Sequence, residues 1–512
     1  MNRLCEMVEK IAVKFVFLLG TLMYFAFTFW AQKYRHELPM DLSSERIQGY
    51  QDSLPKNLLA IVLFFFVVIF VGKVLLGCTD ELKRKRVRVL AVVVIVIMGI
   101  LLTVWVSICH ISPVWDQLQV FYGAMEFHQG EYDLMESYYD TYPHQYGLTF
   151  IYDLLADIFK STKPYQYINV VFVMVIIYFV YLISDVLFQH NEEINYYTLV
   201  CTLMFVPLPL YVNYVYGELW NMAFGIVAIW STLKAIEARK WKYGIISIAA
   251  MTVAYVARKN VVVWAIAIAL ILFVYAIRYL DTKIAIYGTV IVAIPALVLQ
   301  LVLISYEIRS GKEIGKGSPD VTSIAMGLHD SWAGAGYYDA YNNMVYINDA
   351  DRDVELAKQL AYEDIRKSIA VFRADMGYAR DFFQRKIWQQ WNDGTYNALV
   401  MTATFDEEPV GIVANVYYGQ LEHKIYEWTN YYLFIMYFFI TVFMGIKLWK
   451  ETKIEQCILV VALLGGFCFS IIWEAKARYM FPYTALMFPC MAAGIYYVRK
   501  GIWMVVNTKK NR

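Results

Sequence analysis

The stretch VLAVVVIVIMGILLTVWVSICH, residues 89–110, contains no lysine, arginine, aspartate or glutamate. Roughly 20 apolar residues in an α-helix, rising about 1.5 Å each, cross a bilayer core about 30 Å thick. The run therefore reads as a membrane span, because a helix pairs its backbone polar groups internally where no water can. Immediately before it stands DELKRKRVR, Asp80–Arg88, the strongest short basic cluster in the chain. Lysine and arginine concentrate on the cytoplasmic side of membrane proteins, so this end is expected inside. Immediately after it comes SPVWDQLQVFYGAMEFHQGEYDLMESYYDTYPHQYG, Ser112–Gly147, a polar, acidic and aromatic stretch that is then expected outside.

Extending outward, the 512-residue chain is 60% hydrophobic and only 17% charged, against about a quarter charged in soluble proteins. It is expected to be an α-helical polytopic membrane protein. A net charge of +1 with no basic domain gives no support to a nucleic-acid partner. The seven cysteines lie in or beside apolar runs and form neither a disulfide framework nor a CxxC metal motif. The first run, Ile11–Ala31, is too long for a signal peptide and no small-residue cleavage site follows, so it is expected to be retained.

Apolar runs fall near 11–31, 57–77, 89–110, 166–189, 197–216, 219–236, 241–257, 261–279, 284–306, 428–448, 456–473 and 479–498, about twelve spans with a range of 11–13. Three further basic groups then fall on the cytoplasmic side: Lys234 to Lys242, Lys447 to Lys453, and the tail from Arg499. Both termini are expected there. The alternation requires that Leu148–Lys160, short and carrying Asp153 and Asp157, does not cross. The chain divides into an N-terminal membrane domain (1–306), an extracytoplasmic soluble segment (307–427) and C-terminal membrane helices (428–512). The soluble segment is expected to be mainly helical, with Leu356, Leu360, Ile365, Ile369 and Phe372 at helical spacing. Its glycine-rich beginning, GKEIGKGSPDVTSIAMGLHDSWAGAGYY, reads as loop.

Ionisable groups at membrane depth are costly and mark sites. Asp116, Glu218, Arg258, Lys259, Glu474, Lys476 and Arg478 all fall at outer ends of runs. Arginine grips phosphate bidentately and lysine as a point charge, while a carboxylate can take a proton from a hydroxyl or help hold a divalent cation. The bland alternative is that the basic residues face lipid headgroups. His128 and His144 could move protons near neutral pH. Gly315–Ser318 lacks the spacing of a phosphate loop. Trp388, Trp391 and Tyr396 could stack on a sugar or dock the soluble segment onto the membrane, and Asp185 sits near a cytoplasmic helix end.

Asp116 beyond an early span, the aromatic loop with His128-Gln129-Gly130-Glu131-Tyr132, and Tyr142-Pro143-His144-Gln145-Tyr146-Gly147 together resemble the first external loop of GT-C fold glycosyltransferases. The likeness is to bacterial enzymes related to protein O-mannosyltransferases and lipid A aminoarabinose transferases. A late Glu-x-x-x-Arg-Tyr pattern, Glu474, Arg478 and Tyr479, is similar to uncharacterised Gram-positive members. The resemblance covers the membrane part and not 307–427. It implies a cell-membrane glycosyltransferase, with its active site outside the cytoplasm, that moves a sugar from a polyprenyl-phosphate donor to a cell-surface glycan, lipid or protein acceptor. Asp116 matches the catalytic acid, Glu218 a later acidic residue, and Arg258 or Lys259 the residue meeting the lipid phosphate. Tyr142, His144, Gln145, Glu474 and Arg478 complete the expected substrate contacts. Many relatives pair two acids in this loop, whereas here Gln117 follows Asp116 and the nearest acid is Glu126. No metal ligands are assigned, and a requirement for Mg or Mn stays open. A transporter or flippase of lipid-linked glycans and a glycan polymerase are the alternatives. Broken, midplane-charged helices would favour transport, whereas the charges here gather at one face.

Overall fold

The computed structural model describes residues 2–37 and 48–510, and the chain is predominantly helical. Among the described residues, ten helices are long and apolar enough to cross a membrane. An eleventh run is a pair, Glu192–Leu203 and Pro207–Asn213, bent by 52°. Pro207 and Pro209 supply no backbone N–H, so the ladder breaks there. The twelfth apolar run is the 17-residue helix Trp241–Ala257. All twelve runs are thus helical, while ten or eleven meet the length and composition of a span. The protein is an integral membrane protein of many passes.

The basic cluster before residue 89 is not a loop. It forms the first turns of one helix, Asp80–Ile108. Asp80 and Glu81 open that helix, where carboxylates meet the positive end of its dipole. The next helix of membrane length is Lys163–Leu187. Between the two, Tyr146–Asp153 is eight residues long, about 12 Å, and too short to cross.

Polar side chains tie neighbouring helix ends at one face. Lys163 Nζ donates to the Cys109 carbonyl (3.1 Å) and Gln166 to that of Ile111 (3.1 Å). Asn169 Nδ2 donates to the carbonyls of Val212 and Tyr214 (3.1 and 2.9 Å), and Asn221 to that of Arg258 (3.2 Å). The cluster His128, Asp153, Asp157 and Arg309 adds a clamp. His128 bridges the two carboxylates at 3.0 Å each, and Tyr306 donates to Asp153 from the last turns of the helix Thr282–Ser310.

The segment 307–427 contains the expected helices, Val354–Ala374 and Met376–Trp391, separated at Asp375, whose carboxylate caps the second by accepting from Tyr378 N. Its beginning is more ordered than its glycines imply. It holds the helix Asp320–Gly327 and a hairpin pairing Asp330–Ser331 with Gly334–Ala335. Residues 391–402 are buried throughout, and Trp391, Tyr396, Leu399 and Met401 share one continuous core with the membrane helices. Trp391 stacks on Phe27 with ring centroids 4.9 Å apart, and Tyr211 OH donates to the Tyr396 carbonyl (2.6 Å). Trp391 and Tyr396 therefore dock this segment.

Close helix packing in a membrane relies on small residues. A Cβ at Gly494 would lie 1.9 Å from the Phe439 carbonyl oxygen on the facing helix, whereas one at Gly501 meets nothing within 4 Å. Gly494→Ala is expected to destabilise by about 1–3 kcal/mol through overpacking, and Gly501→Ala to be neutral or slightly stabilising. Thermal unfolding of both variants in one detergent checks the difference.

Candidate functional site

The helix Asp116–Gln129 opens with Asp116 in its first turn, behind Trp115, whose backbone holds φ 48° and ψ −125°. Side-chain-bearing residues rarely adopt that conformation, and such strain persists only where surrounding contacts enforce it. The contacts are visible. Asp116 Oδ2 lies 3.2 Å from Arg478 Nη2, and Tyr138 OH donates to Oδ1 at 3.2 Å. Arg478 also donates to Tyr214 OH.

A second arginine stands beside the first. Arg258 links the helices Trp241–Ala257 and Val262–Tyr279 through extended backbone, and its guanidinium pairs with Glu218 at 2.9 Å. Glu218 occupies the first turn of Gly217–Ala238, again at the positive end of a helix. Gly217 permits this approach, since a Cβ there would lie 2.7 Å from the Ala257 carbonyl oxygen. The Arg258 guanidinium is 5.2 and 5.3 Å from the ring centroids of Tyr216 and Tyr479. That of Arg478 is 5.8 and 5.6 Å from the same two rings. Two cations thus share two aromatic faces, contacts worth about 0.5–2 kcal/mol each.

The remaining residues close around this pair. Tyr479 OH donates to Glu474, and Lys476 Nζ lies 4.2 Å from the Tyr338 ring centroid. Gln145 donates to Tyr216 OH and lies 3.3 Å from His144 Nε2. Tyr142 OH donates to Asn343 and accepts from Asn342 (3.2 Å), and Lys259 pairs with Asp320 at 3.3 Å. The structure therefore gathers ten sequence-derived candidates, Asp116, Tyr142, His144, Gln145, Glu218, Arg258, Lys259, Glu474, Lys476 and Arg478, around one site. Tyr216, Tyr338, Tyr138, Asn342 and Asn343 join it without having been singled out. Tyr216, two residues before Glu218 in YVYGEL, carried a signal of position. Tyr338 lies in the glycine-rich stretch and carried none.

Exposure separates their roles. The Asp116 side chain is 35% exposed, against 13% for Arg258, 6% for Arg478 and 1% for Glu218. His144 is exposed although protein surrounds it closely, so it lines a recess. Glu218 lies beneath Arg258 as its counter-ion and touches no open space. Burial raises the Asp116 carboxyl, but Arg478 and Lys476, with hydrogen bonds from Arg478 and Tyr138, outweigh this and hold it below the usual carboxylate range. Burial, then the cations Lys259 and Arg258, push His144 down to about 4, so its imidazole is neutral at pH 7. Burial raises the Glu474 carboxyl against the opposing pull of Lys476 and Tyr479.

Other sequence candidates lie elsewhere. His128 belongs to the clamp described above, and Asp185 accepts from Asn195 (2.8 Å) and contacts His190. Gly317 packs on Pro143, so Gly315–Ser318 supports the loop rather than cradling a ligand. Among the described residues no group of three or more His, Cys, Asp or Glu has metal-holding geometry.

A family model described as conserved hypothetical integral membrane protein matches residues 5–495. No curated protein matches the chain.

The buried Arg258 and Glu218 pair makes a direct prediction. Removing one partner of a buried pair strands the other charge and costs about 3–5 kcal/mol. Glu218→Gln should lower the unfolding temperature strongly, and Glu218→Gln with Arg258→Gln should recover part of the loss. Additive losses in this cycle would show the pair to be uncoupled.

Proposed function

Because the chain belongs to the family of conserved hypothetical integral membrane proteins, we propose its function from the chemistry of the site: a GT-C-type glycosyltransferase using a polyprenyl-phosphate-linked sugar. One observation carries the proposal: a partly exposed carboxylate, Asp116, stands 3.2 Å from one of two guanidinium groups that share the Tyr216 and Tyr479 rings at a single end of the helix bundle. A phosphate ester and a hydroxyl to be deprotonated need that combination of groups.

In the proposed reaction, an acceptor hydroxyl gives its proton to Asp116 while its oxygen attacks the anomeric carbon. The bond from that carbon to the phosphate oxygen breaks, and the configuration inverts in the single displacement. The lipid phosphate leaves with the bonding electrons, and Arg258, Arg478 and Lys259 compensate its charge where low dielectric strengthens their effect. His144, neutral at pH 7, and Gln145 offer hydrogen bonds to sugar hydroxyls without adding charge. Tyr142, with Asn342 and Asn343, gives the sugar a polar aromatic wall. The acceptor is a cell-surface glycan, lipid or protein. By the distribution of lysine and arginine the site faces away from the cytoplasm and both termini face it.

Asp116→Asn should lower transfer from a radiolabelled polyprenyl-phosphate sugar by about 10²–10⁴-fold, the usual contribution of a general base. Equal transfer by wild type and variant would remove Asp116 from the chemistry, and no transfer by either across several sugars would favour transport. A base works deprotonated, and Asp116 is held low in the free enzyme. The acid limb of kcat/KM for the donor is therefore expected below the ordinary carboxylate value near 3.9, with activity present above that limb and lost as pH falls through it.

A further inference from the structure

Arg478 is nearly covered, and the more exposed partner over it is the Asp116 carboxylate. The same carboxylate cannot serve at once as the counter-ion of Arg478 and as an unencumbered base. Its position is also enforced, because Trp115 behind it keeps a backbone conformation that its side chain disfavours. A phosphate that reaches Arg478 from the open side must take the place that Asp116 Oδ2 now fills. The carboxylate and a phosphate oxygen present the guanidinium with the same chemistry, an anionic planar or tetrahedral acceptor for paired N–H donors.

We infer that Asp116 is a stand-in for the ligand's phosphate, and that binding of a phosphate monoester or diester at Arg478 displaces it and thereby unmasks the base. This rests on the reading of the recess as a phosphate site. The exchange keeps the arginine paired, since one anion replaces another. It turns Asp116 toward the space where the acceptor hydroxyl enters. Asp116 then sits beside the phosphate's negative charge instead of against a cation, so its proton affinity rises at the moment it is needed. Arg258 does not take part in the exchange, because its partner Glu218 is enclosed and stays in place. The groups surrounding the exchanging carboxylate are Arg478, Lys476, Glu218, Glu474, His144 and the hydroxyls of Tyr138, Tyr142, Tyr216 and Tyr338. Of the two carboxylates paired with arginines here, Asp116 alone has open space beside it. The consequence is order: the donor binds first, and an acceptor arriving without it finds the base occupied. Hydrolysis or misdirected transfer is suppressed until the phosphate is seated.

The test uses the full chain in detergent micelles at pH 6 and reads carbodiimide modification of Asp116 by peptide mass spectrometry, since carbodiimide takes protonated, accessible carboxyls. Binding of radiolabelled inorganic phosphate and of farnesyl phosphate is measured on the same samples, with farnesol as the uncharged control. A several-fold gain in Asp116 modification with either phosphate, and none with farnesol, is expected. A gain with farnesyl phosphate alone would assign the exchange to a lipid-borne phosphate, and a gain with both to the phosphate group itself. Arg478→Gln should give high modification with no ligand present, and the wild-type comparison stands even where that variant folds poorly. Bound phosphate with unchanged or reduced modification would overturn the exchange and leave the phosphate site standing. Failure of both phosphates to bind would overturn the site reading and the exchange with it.

Discussion

A bilayer core offers no water to an unpaired backbone group or an unpaired charge, and that constraint organises this protein from its helices to its site. It makes the apolar runs helical, and it drives ionisable side chains toward helix ends or into pairs. Asn169, Gln166 and Lys163 spend their donors on carbonyls at adjacent helix ends, which holds those ends together at one face. Once the ends are gathered there, residues from positions 116, 218, 258 and 478 become neighbours. The site is therefore a consequence of where a membrane chain can place charge at all.

Within that site the charges balance internally. Arg478 faces Asp116, Arg258 faces Glu218, Lys259 faces Asp320, and Glu474 lies within the field of Lys476. The balance is uneven in accessibility. Glu218 is sealed, so Arg258 is a fixed cation of constant position, whereas Asp116 and Lys259 are open to exchange. A polar cluster with one rigid and one replaceable ion pair lets an arriving anion take over the arginine of the replaceable pair while the other arginine stays paired.

Much of this was legible in the sequence, for physical reasons that differ by residue. Asp116, Glu218, Arg258 and Arg478 stand out because charge beside an apolar run is costly and therefore informative. The run 241–257 was legible as helix but is only 17 residues long, so periodicity and apolarity could not fix the number of spans. Residues 391–402 lie in a stretch, 307–427, that reads as soluble because it contains no membrane-length apolar run. They are buried because Asp393 satisfies the turn from within, accepting from the backbone N–H of Thr395 and Asn397 at 2.8 Å each. Internal satisfaction of that kind leaves no trace in composition. Tyr338 was hidden for a related reason, since its place beside Lys476 depends on a long-range pairing rather than on its neighbours in sequence.

That pairing shows why the segment 307–427 belongs to the site. Ala475 N donates to the Gly336 carbonyl (2.7 Å), and Tyr337 bridges Ala475 in parallel. Gly327 lies so close to Ile472 and Trp473 that a Cβ there would come within 2.6 Å of their backbones. Lys386, fully buried, donates to the Gly327 carbonyl from the helix Met376–Trp391, and burial lowers its ammonium to about 7. The loop bearing Glu474, Lys476 and Arg478 is thus clamped between the membrane helix that precedes it and a segment more than a hundred residues distant in sequence. A movement of that segment would shift Ala475, and through it the arginine three residues on that holds Asp116. The segment 307–427 is thus joined through Ala475 to the guanidinium that the phosphate is proposed to reach.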